Sequence, residues 1–234
     1  MRAVVLAGGK GTRLAPYTTV FPKPLMPIDG MPILEVVIRQ LKAHGFDRIT
    51  LAVGYLASLI EAYFGDGSRF GVAIDYSREE GPLGTAGPLR LVVDLDETFL
   101  VMNGDLLTTL DFGKMLSFHR DRKCDATLGL FSREVKIDLG VIEADGEGNV
   151  REYIEKPTLN YDVSTGIYIM EPSVLGYIPP DGRFDLPDLV RALMQDRRKV
   201  MGYRFTGRWL DIGRHDDYAG AVEAFQEHRD KFLP

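Results

Sequence analysis

Short apolar runs alternate with segments of helical periodicity from the third residue onward, and that alternation leaves few folds open. Ala3 to Leu6 reads as a buried strand, and Pro32 to His44 ("PILEVVIRQLKAH") carries apolar residues at helical spacing, with Pro32 suited to a first turn. "RITLAVGY" reads as a strand, "LASLIEAYF" as a helix and "VAIDYS" as a strand. "GTAGPLRLVV" reads as a helix start, and "TFLVMNGD" as a strand ending in Asn-Gly-Asp. A helix near Phe112 to Arg120 and a strand near Ala126 to Phe131 extend the series. This βαβα order predicts an α/β, Rossmann-like three-layer fold with a mainly parallel central sheet. From about Asp138 to Met170 the pattern changes to two strands around a Gly-rich turn and a further strand, a small β-rich lobe. Amphipathic helices over Asp185 to Gln195 and Asp216 to His228 close a single domain spanning 1–234, with halves at about 1–135 and 136–234.

Composition removes several function classes. No run approaches the ~18 apolar residues of a transmembrane helix, and the N-terminal apolar run is too short for a signal peptide. Cys124 is the only cysteine, so there is no disulfide framework and no cysteine zinc cluster, and a reducing, cytoplasmic location is expected. The net charge of -6 argues against nucleic acid, whose phosphates reward clustered Lys and Arg. An anion site must therefore be made locally.

One such site opens the chain. Gly8-Gly9-Lys10-Gly11-Thr12-Arg13 follows the first strand, and Lys23 lies between two prolines. A Walker A loop needs Ser or Thr after Gly-Lys, where Gly11 stands; a dinucleotide fingerprint needs Gly or Ala where Leu14 stands. Glycines after a strand still let backbone N–H groups approach phosphate oxygens, and Arg13 and Lys23 add a fork and a point charge. The bland alternative is a tight turn with solvated cations; the rigid Pro22-Lys23-Pro24 favours the phosphate site. Asn103-Gly104-Asp105 and Asp211-Ile212-Gly213 also sit at predicted strand ends, where open parallel sheets bind ligands. Asp105 could equally be a turn former, Asp211 a helix cap, and Glu155 with Lys156 a surface pair. Trp209, Tyr161 and Tyr168 are expected to pack in the core, and the four histidines to lie at helix surfaces or caps.

"LAGGKGTRL" followed by "FPKPLMPI" resembles the opening signature of the sugar-1-phosphate nucleotidylyltransferases, closest to the mannose-1-phosphate guanylyltransferase-like branch. "GPLGTAGPL", "VMNGD", "EKP", "STGIYI" and "WLDIGR" continue the resemblance in family order across almost the whole chain. It implies an enzyme that transfers NMP from an NTP to a sugar 1-phosphate with Mg2+, releasing pyrophosphate. The first half would bind the nucleotide and the lobe the sugar. The family pattern sets Leu6, Ala7, Gly8, Gly9, Gly11 and Thr12 around the nucleotide. Arg13 would neutralise the β,γ-phosphates, and Lys23 would hold the α-phosphate and the sugar phosphate. Asp105 and Asp211 would carry the metal. Glu155 and Lys156 would contact the sugar and its phosphate, and Gly140 and Ser164 would line its pocket. The resemblance leaves a homo-oligomer open.

In the family the base is read from the loop at Gly84 and from the position of Glu79. A carboxylate only accepts hydrogen bonds, and guanine offers the donor pair N1–H and N2–H, so GTP is favoured over UTP, dTTP and CTP. Glu80 is the neighbouring candidate. Leu139 stands where many relatives have an aromatic residue and Ser164 where Asn is frequent, which leaves the sugar open and admits phosphocholine. The chain ends without a hexapeptide-repeat tail, so a stand-alone catalytic domain is expected. Two other classes compete: a non-catalytic nucleotide-sugar sensor, and a glycosyltransferase using "DLDE" at Asp94 to Glu97 as its metal motif.

Overall fold

A computed structural model describes residues 1–233. Strand β1 (Arg2–Ala7) is followed by the hairpin β2 (Pro27–Ile28) and β3 (Met31–Pro32), helix α1 (Ile33–Ala43), β4 (Arg48–Val53), α2 (Ala57–Phe64) and β5 (Ala73–Arg78). Next come β6 (Phe99–Asn103), β7 (Leu106–Thr108), α3 (Phe112–Arg122) and β8 (Ala126–Lys136). The second half contains β9 (Val141–Ala144), β10 (Val150–Ile154), β11 (Thr158–Met170), α4 (Leu186–Gln195), β12 (Val200–Arg204), β13 (Trp209–Asp211), α5 (His215–Glu227) and α6 (Arg229–Phe232).

Seven strands form the central sheet in the order β12-β8-β11-β6-β1-β4-β5. Only β11 runs against its neighbours, pairing antiparallel with both β6 and β8. The reversal follows from connectivity: β9 and β10 form a short antiparallel hairpin, and the chain returns from it along β8.

The buried strands separate two apolar layers because successive side chains face opposite ways. Val5, Leu51 and Met102 face Leu34, Val37 and Leu41 of α1, with Phe64 and Phe112 beside them. Val4, Ala52 and Val101 face the other layer, filled by Leu89 and by Leu186, Leu189 and Leu193 of α4. Each fully buried Leu or Val contributes roughly 1.5–3 kcal/mol of transfer free energy. A third cluster packs Leu107 and Ile212 with Phe225 and Phe232, so α5 and α6 hold the small β7–β13 ladder in place.

One expected helix is absent. Gly87–Leu91 makes only a 3-10 turn, because the backbone N–H groups of Ala86 and Gly87 both donate to the Phe184 carbonyl and hold the segment against the second half of the chain. His119 departs from the surface reading: it is buried, its ring nitrogens meeting Thr127 Oγ1 at 2.9 Å and Glu171 Oε1 at 3.0 Å. Tyr168 is core as expected, whereas Tyr161 is exposed on β11. Among the described residues no helix is long and apolar enough to cross a membrane.

Candidate active site

The chain lays β4 and β5 on one side of β1 and then returns to lay β6 on the other. This reversal is a topological switch point, where the loops after two adjacent strands diverge and open a crevice. A cleft of about 850 Å³ lies there, lined by the loop after β1, by Asn103 at the end of β6 and Asp105 beyond it, and by Glu79 after β5. Leu6, Gly8, Gly9, Thr12, Gly84 and Asp105, all anticipated from sequence, line it together with Glu79. Lys10, Tyr55, Asn103, Arg183 and Asp185 line it as well. Ala7 instead is buried in the sheet core, and Gly11 faces inward. The signal for Lys10 and Asn103 was their place inside the motifs; nothing local marked Arg183 and Asp185, which arrive from the other half of the chain.

Gly11 sits at φ +62°, and a Cβ there would lie 3.0 Å from both Lys23 Cβ and Thr18 Cγ2. Glycine therefore lets the loop turn back onto Lys23. The Thr18 hydroxyl donates to the Gly11 carbonyl at 2.8 Å and closes the loop. Lys23 is buried in a 3-10 turn with Pro24 and Leu25, and its ammonium forms an ion pair with Asp105. The prolines on either side restrict the backbone, so this cation is preorganised.

Asp105 leads into β7, and Asp211 pairs with Leu106 across the β7–β13 ladder, so residues separated by half the chain become neighbours. The Ile212 N–H donates to the Asp105 carbonyl at 3.3 Å. Asp211 reaches solvent from a crowded recess. Desolvation, then the charge of Asp105, raises its pKa, while Lys23 and Arg13 act in the opposite direction. The Arg13 guanidinium stands beside Gly213, where a Cβ would lie 3.5 Å from its Nη1. Arg13, Lys23, Asp105 and Asp211 thus form one charged group at the mouth of the switch point. Two adjacent carboxylates are hard oxygen donors of the kind Mg2+ takes, with phosphates and water completing its shell. No cluster of three or more His, Cys, Asp or Glu able to hold a metal exists among the described residues. The donor set fits a metal carried in with a phosphate ligand better than a resident one.

Glu79 forms the far wall. Its Oε2 accepts from the Leu83 N–H at 3.2 Å, and its Oε1 lies against Gly8 and Gly54. Gly140, Glu155, Lys156 and Ser164 stand on the lobe, outside the cleft wall. There the Tyr153 hydroxyl donates to Glu155 Oε2 at 3.0 Å, and Ser164 Oγ lies 3.0 Å from the Tyr168 hydroxyl. Trp209 packs on Phe131 and donates its indole N–H to the Thr165 carbonyl at 2.9 Å, a structural role. The "DLDE" segment lies at the opposite end of the sheet: the Asp94 carbonyl accepts from Arg2 at 2.8 Å, at the start of β1. It cannot serve the cleft.

The chain is similar to proteins of one kind. A UTP--glucose-1-phosphate uridylyltransferase of Synechocystis sp. (strain ATCC 27184 / PCC 6803 / Kazusa) is 38% identical over 95% of this chain and 62% of its own length. A mannose-1-phosphate guanylyltransferase of Mycobacterium tuberculosis (strain ATCC 25618 / H37Rv) is 36% identical over 92% of this chain and 62% of its own. The chain thus spans under two thirds of these relatives. The structure of HddC from Yersinia pseudotuberculosis complexed with GMP-PN superposes with a TM-score of 0.72 and 25% identity, covering 96% of this chain and 99% of that one. The nucleotidyl transferase family model matches residues 2–228, nearly the full length, and the chain belongs to that family.

Proposed function

We propose that this protein transfers a nucleoside monophosphate from an NTP to a sugar 1-phosphate, releasing pyrophosphate. The observation that carries the reading is the meeting of a glycine loop, two cations and two carboxylates at the switch point. The glycine loop offers N–H groups to the triphosphate. Arg13 lies toward the β,γ-phosphates and Lys23 toward the α-phosphate and the incoming sugar phosphate. Glu155, Lys156, Gly140 and Ser164 form the sugar side.

An ionised oxygen of the sugar phosphate attacks the α-phosphorus in line, a new P–O–P bond forms, and the bond to the β-phosphate oxygen breaks. The nucleophile is already anionic near pH 7, so no general base is needed, and repulsion between two anions is the main obstacle. Arg13 and Lys23 lower that repulsion and meet the charge developing on the leaving pyrophosphate. Mg2+, held by Asp105 and Asp211, would add Lewis-acid neutralisation of the phosphates.

GTP is the favoured donor, because the Glu79 carboxylate can only accept, and guanine presents two adjacent donors. The relative of Mycobacterium tuberculosis and the GMP-PN complex of HddC support this reading. UTP is the second reading. Glu79 Oε2 already accepts from Leu83, so Oε1 is the freer oxygen, which suits the single N–H of uracil; the Synechocystis relative is a uridylyltransferase. A matrix of NTPs against mannose, glucose, heptose and N-acetylmuramate phosphates and phosphocholine, scored by pyrophosphate release, tests both. Pyrophosphate with one pair is the expected result; nucleotide binding without pyrophosphate from any pair would favour a sensor.

A further inference from the structure

The base end of the cleft is built by two parts of the chain a hundred residues apart. Loop 83–87 and the N-terminal turn of α4 are joined by six hydrogen bonds. The Phe184 N–H donates to the Leu83 carbonyl at 2.9 Å, and the Phe184 carbonyl accepts from Ala86 at 2.9 Å and Gly87 at 3.0 Å. Asp185 Oδ1 accepts from the Thr85 N–H at 2.9 Å and the Thr85 hydroxyl at 3.3 Å. The Thr85 hydroxyl in turn accepts from the Leu186 N–H at 2.7 Å.

One carboxylate oxygen therefore takes two donors of the loop, while the loop's own hydroxyl caps the first helical N–H of α4. Asp185 Oδ2 is held by the Arg183 Nε–H at 3.2 Å, and the Asp185 N–H donates to Asp188 Oδ2 at 3.3 Å, so the side chain is fixed from behind. Glu79 grips the same loop one residue before Gly84, through the Leu83 N–H. A hydrogen bond to a charged acceptor is roughly twice as strong as one to a neutral acceptor. The loop cannot drift without leaving Asp185 Oδ1 without its two donors.

We propose that Asp185, through Thr85, is a positioning residue that sets base selectivity: it holds the Gly84–Thr85 backbone at the distance from Glu79 that one base edge fits. This rests on the reading of the cleft as a nucleotide site. A site that holds polar groups at fixed spacing rejects a mismatched partner because its groups stay unpaired; a loop free to adjust pairs with either base. Loss of the latch therefore weakens discrimination more than it weakens catalysis.

The test uses the intact chain. Binding of GTP and UTP is measured by calorimetry, and kcat and KM by pyrophosphate release, for wild type, Asp185→Ala, Asp185→Asn, Thr85→Val and Val190→Ala. Val190 lies on α4, packs on the apolar layer with a side chain that makes no hydrogen bond, and reports loss of stability alone. Asp185→Ala and Thr85→Val are expected to cut the ratio of the two affinities about tenfold, to raise KM for the NTP, and to leave KM for the sugar phosphate unchanged. Asp185→Asn keeps the Oδ1 acceptor and is expected to keep most of the ratio, while Val190→Ala lowers the melting temperature with the ratio intact. An unchanged ratio in folded Asp185→Ala, an equal change in Val190→Ala, or a wild type that does not discriminate overturns the proposal. A wild type that binds neither nucleotide overturns the nucleotide-site reading itself, and the proposal with it.

Discussion

At the scale of single residues the proposed chemistry falls to the charged group at the switch point, Arg13, Lys23, Asp105 and Asp211. Asp211 sits there in surroundings that favour its protonated form, since desolvation and then the charge of Asp105 raise its pKa. A carboxyl whose folded pKa is raised contributes stability below its unfolded pKa, and loses it as pH rises through the folded one. Asp211→Asn is therefore expected to melt higher than wild type in metal-free buffer at neutral pH, with the gain vanishing in acid. The same variant, like Asp105→Asn, should lose more turnover than the roughly 10–100-fold that an outer-sphere metal partner is worth. Near-normal Mg2+-dependent turnover in either would remove that carboxylate from the site. The two cations should separate by substrate. Arg13→Ala is expected to cut kcat about 100-fold with its KM effect confined to the NTP, whereas Lys23→Ala raises KM for both substrates. If either variant changes only the melting temperature, that residue is structural.

The elements explain why those residues meet. β7 and β13 are three residues each, too short to persist alone, and survive because Leu107 and Ile212 are buried with α5 and α6. The loop after β5 is similarly defined by its partner. Gly84 has φ +84°, and a Cβ there would stand 2.5 Å from the Phe184 carbonyl oxygen, which is backbone and cannot yield. Gly84→Ala should cost about 1–3 kcal/mol for the left-handed conformation alone, lowering the melting temperature by several degrees. Gly9→Ala, with nothing within 4 Å and no such conformation, is the comparison and should stay within about 0.5 kcal/mol. Equal melting temperatures for the two variants would contradict the tight packing of loop 83–87 on Phe184.

The molecule as a whole divides into a dense sheet core and a thin lobe. β1, β4 and β6 are buried on both faces, while β10 is exposed along its length and β9 nearly so. Backbone protection follows buried apolar contact. Hydrogen exchange read by mass spectrometry should find residues 141–154 exchanging far faster than 2–7 and 99–103, with no difference in global melting. Matched protection of the two regions would mean that the lobe is ordered by something other than its own contacts. In the proposed reaction, such a division would let a rigid floor hold the nucleotide and a softer wall meet the second substrate.

Local pattern alone determined β1, β4, β5, β6 and β8 and helices α1 to α3 of the first half, since a buried parallel strand is a continuous apolar run and an amphipathic helix repeats every 3.6 residues. It also marked the glycine loop with Arg13, Asp105 and Asp211 in motifs at predicted strand ends, and Lys23 between two prolines. Three things it left undetermined. The antiparallel direction of β11 depends on the route by which the chain leaves the β9–β10 hairpin, and an apolar strand carries no sign of its direction. The failed helix after Gly84 depends on Phe184 and Asp185, a hundred residues away, whose hydrogen bonds outcompete those within the segment. The neighbourhood of Asp105 and Asp211 depends on a ladder stabilised by a third cluster drawn from both ends of the chain. Pairing of distant backbone groups is decided by burial and hydrogen-bond satisfaction over the whole fold, which only the tertiary structure records.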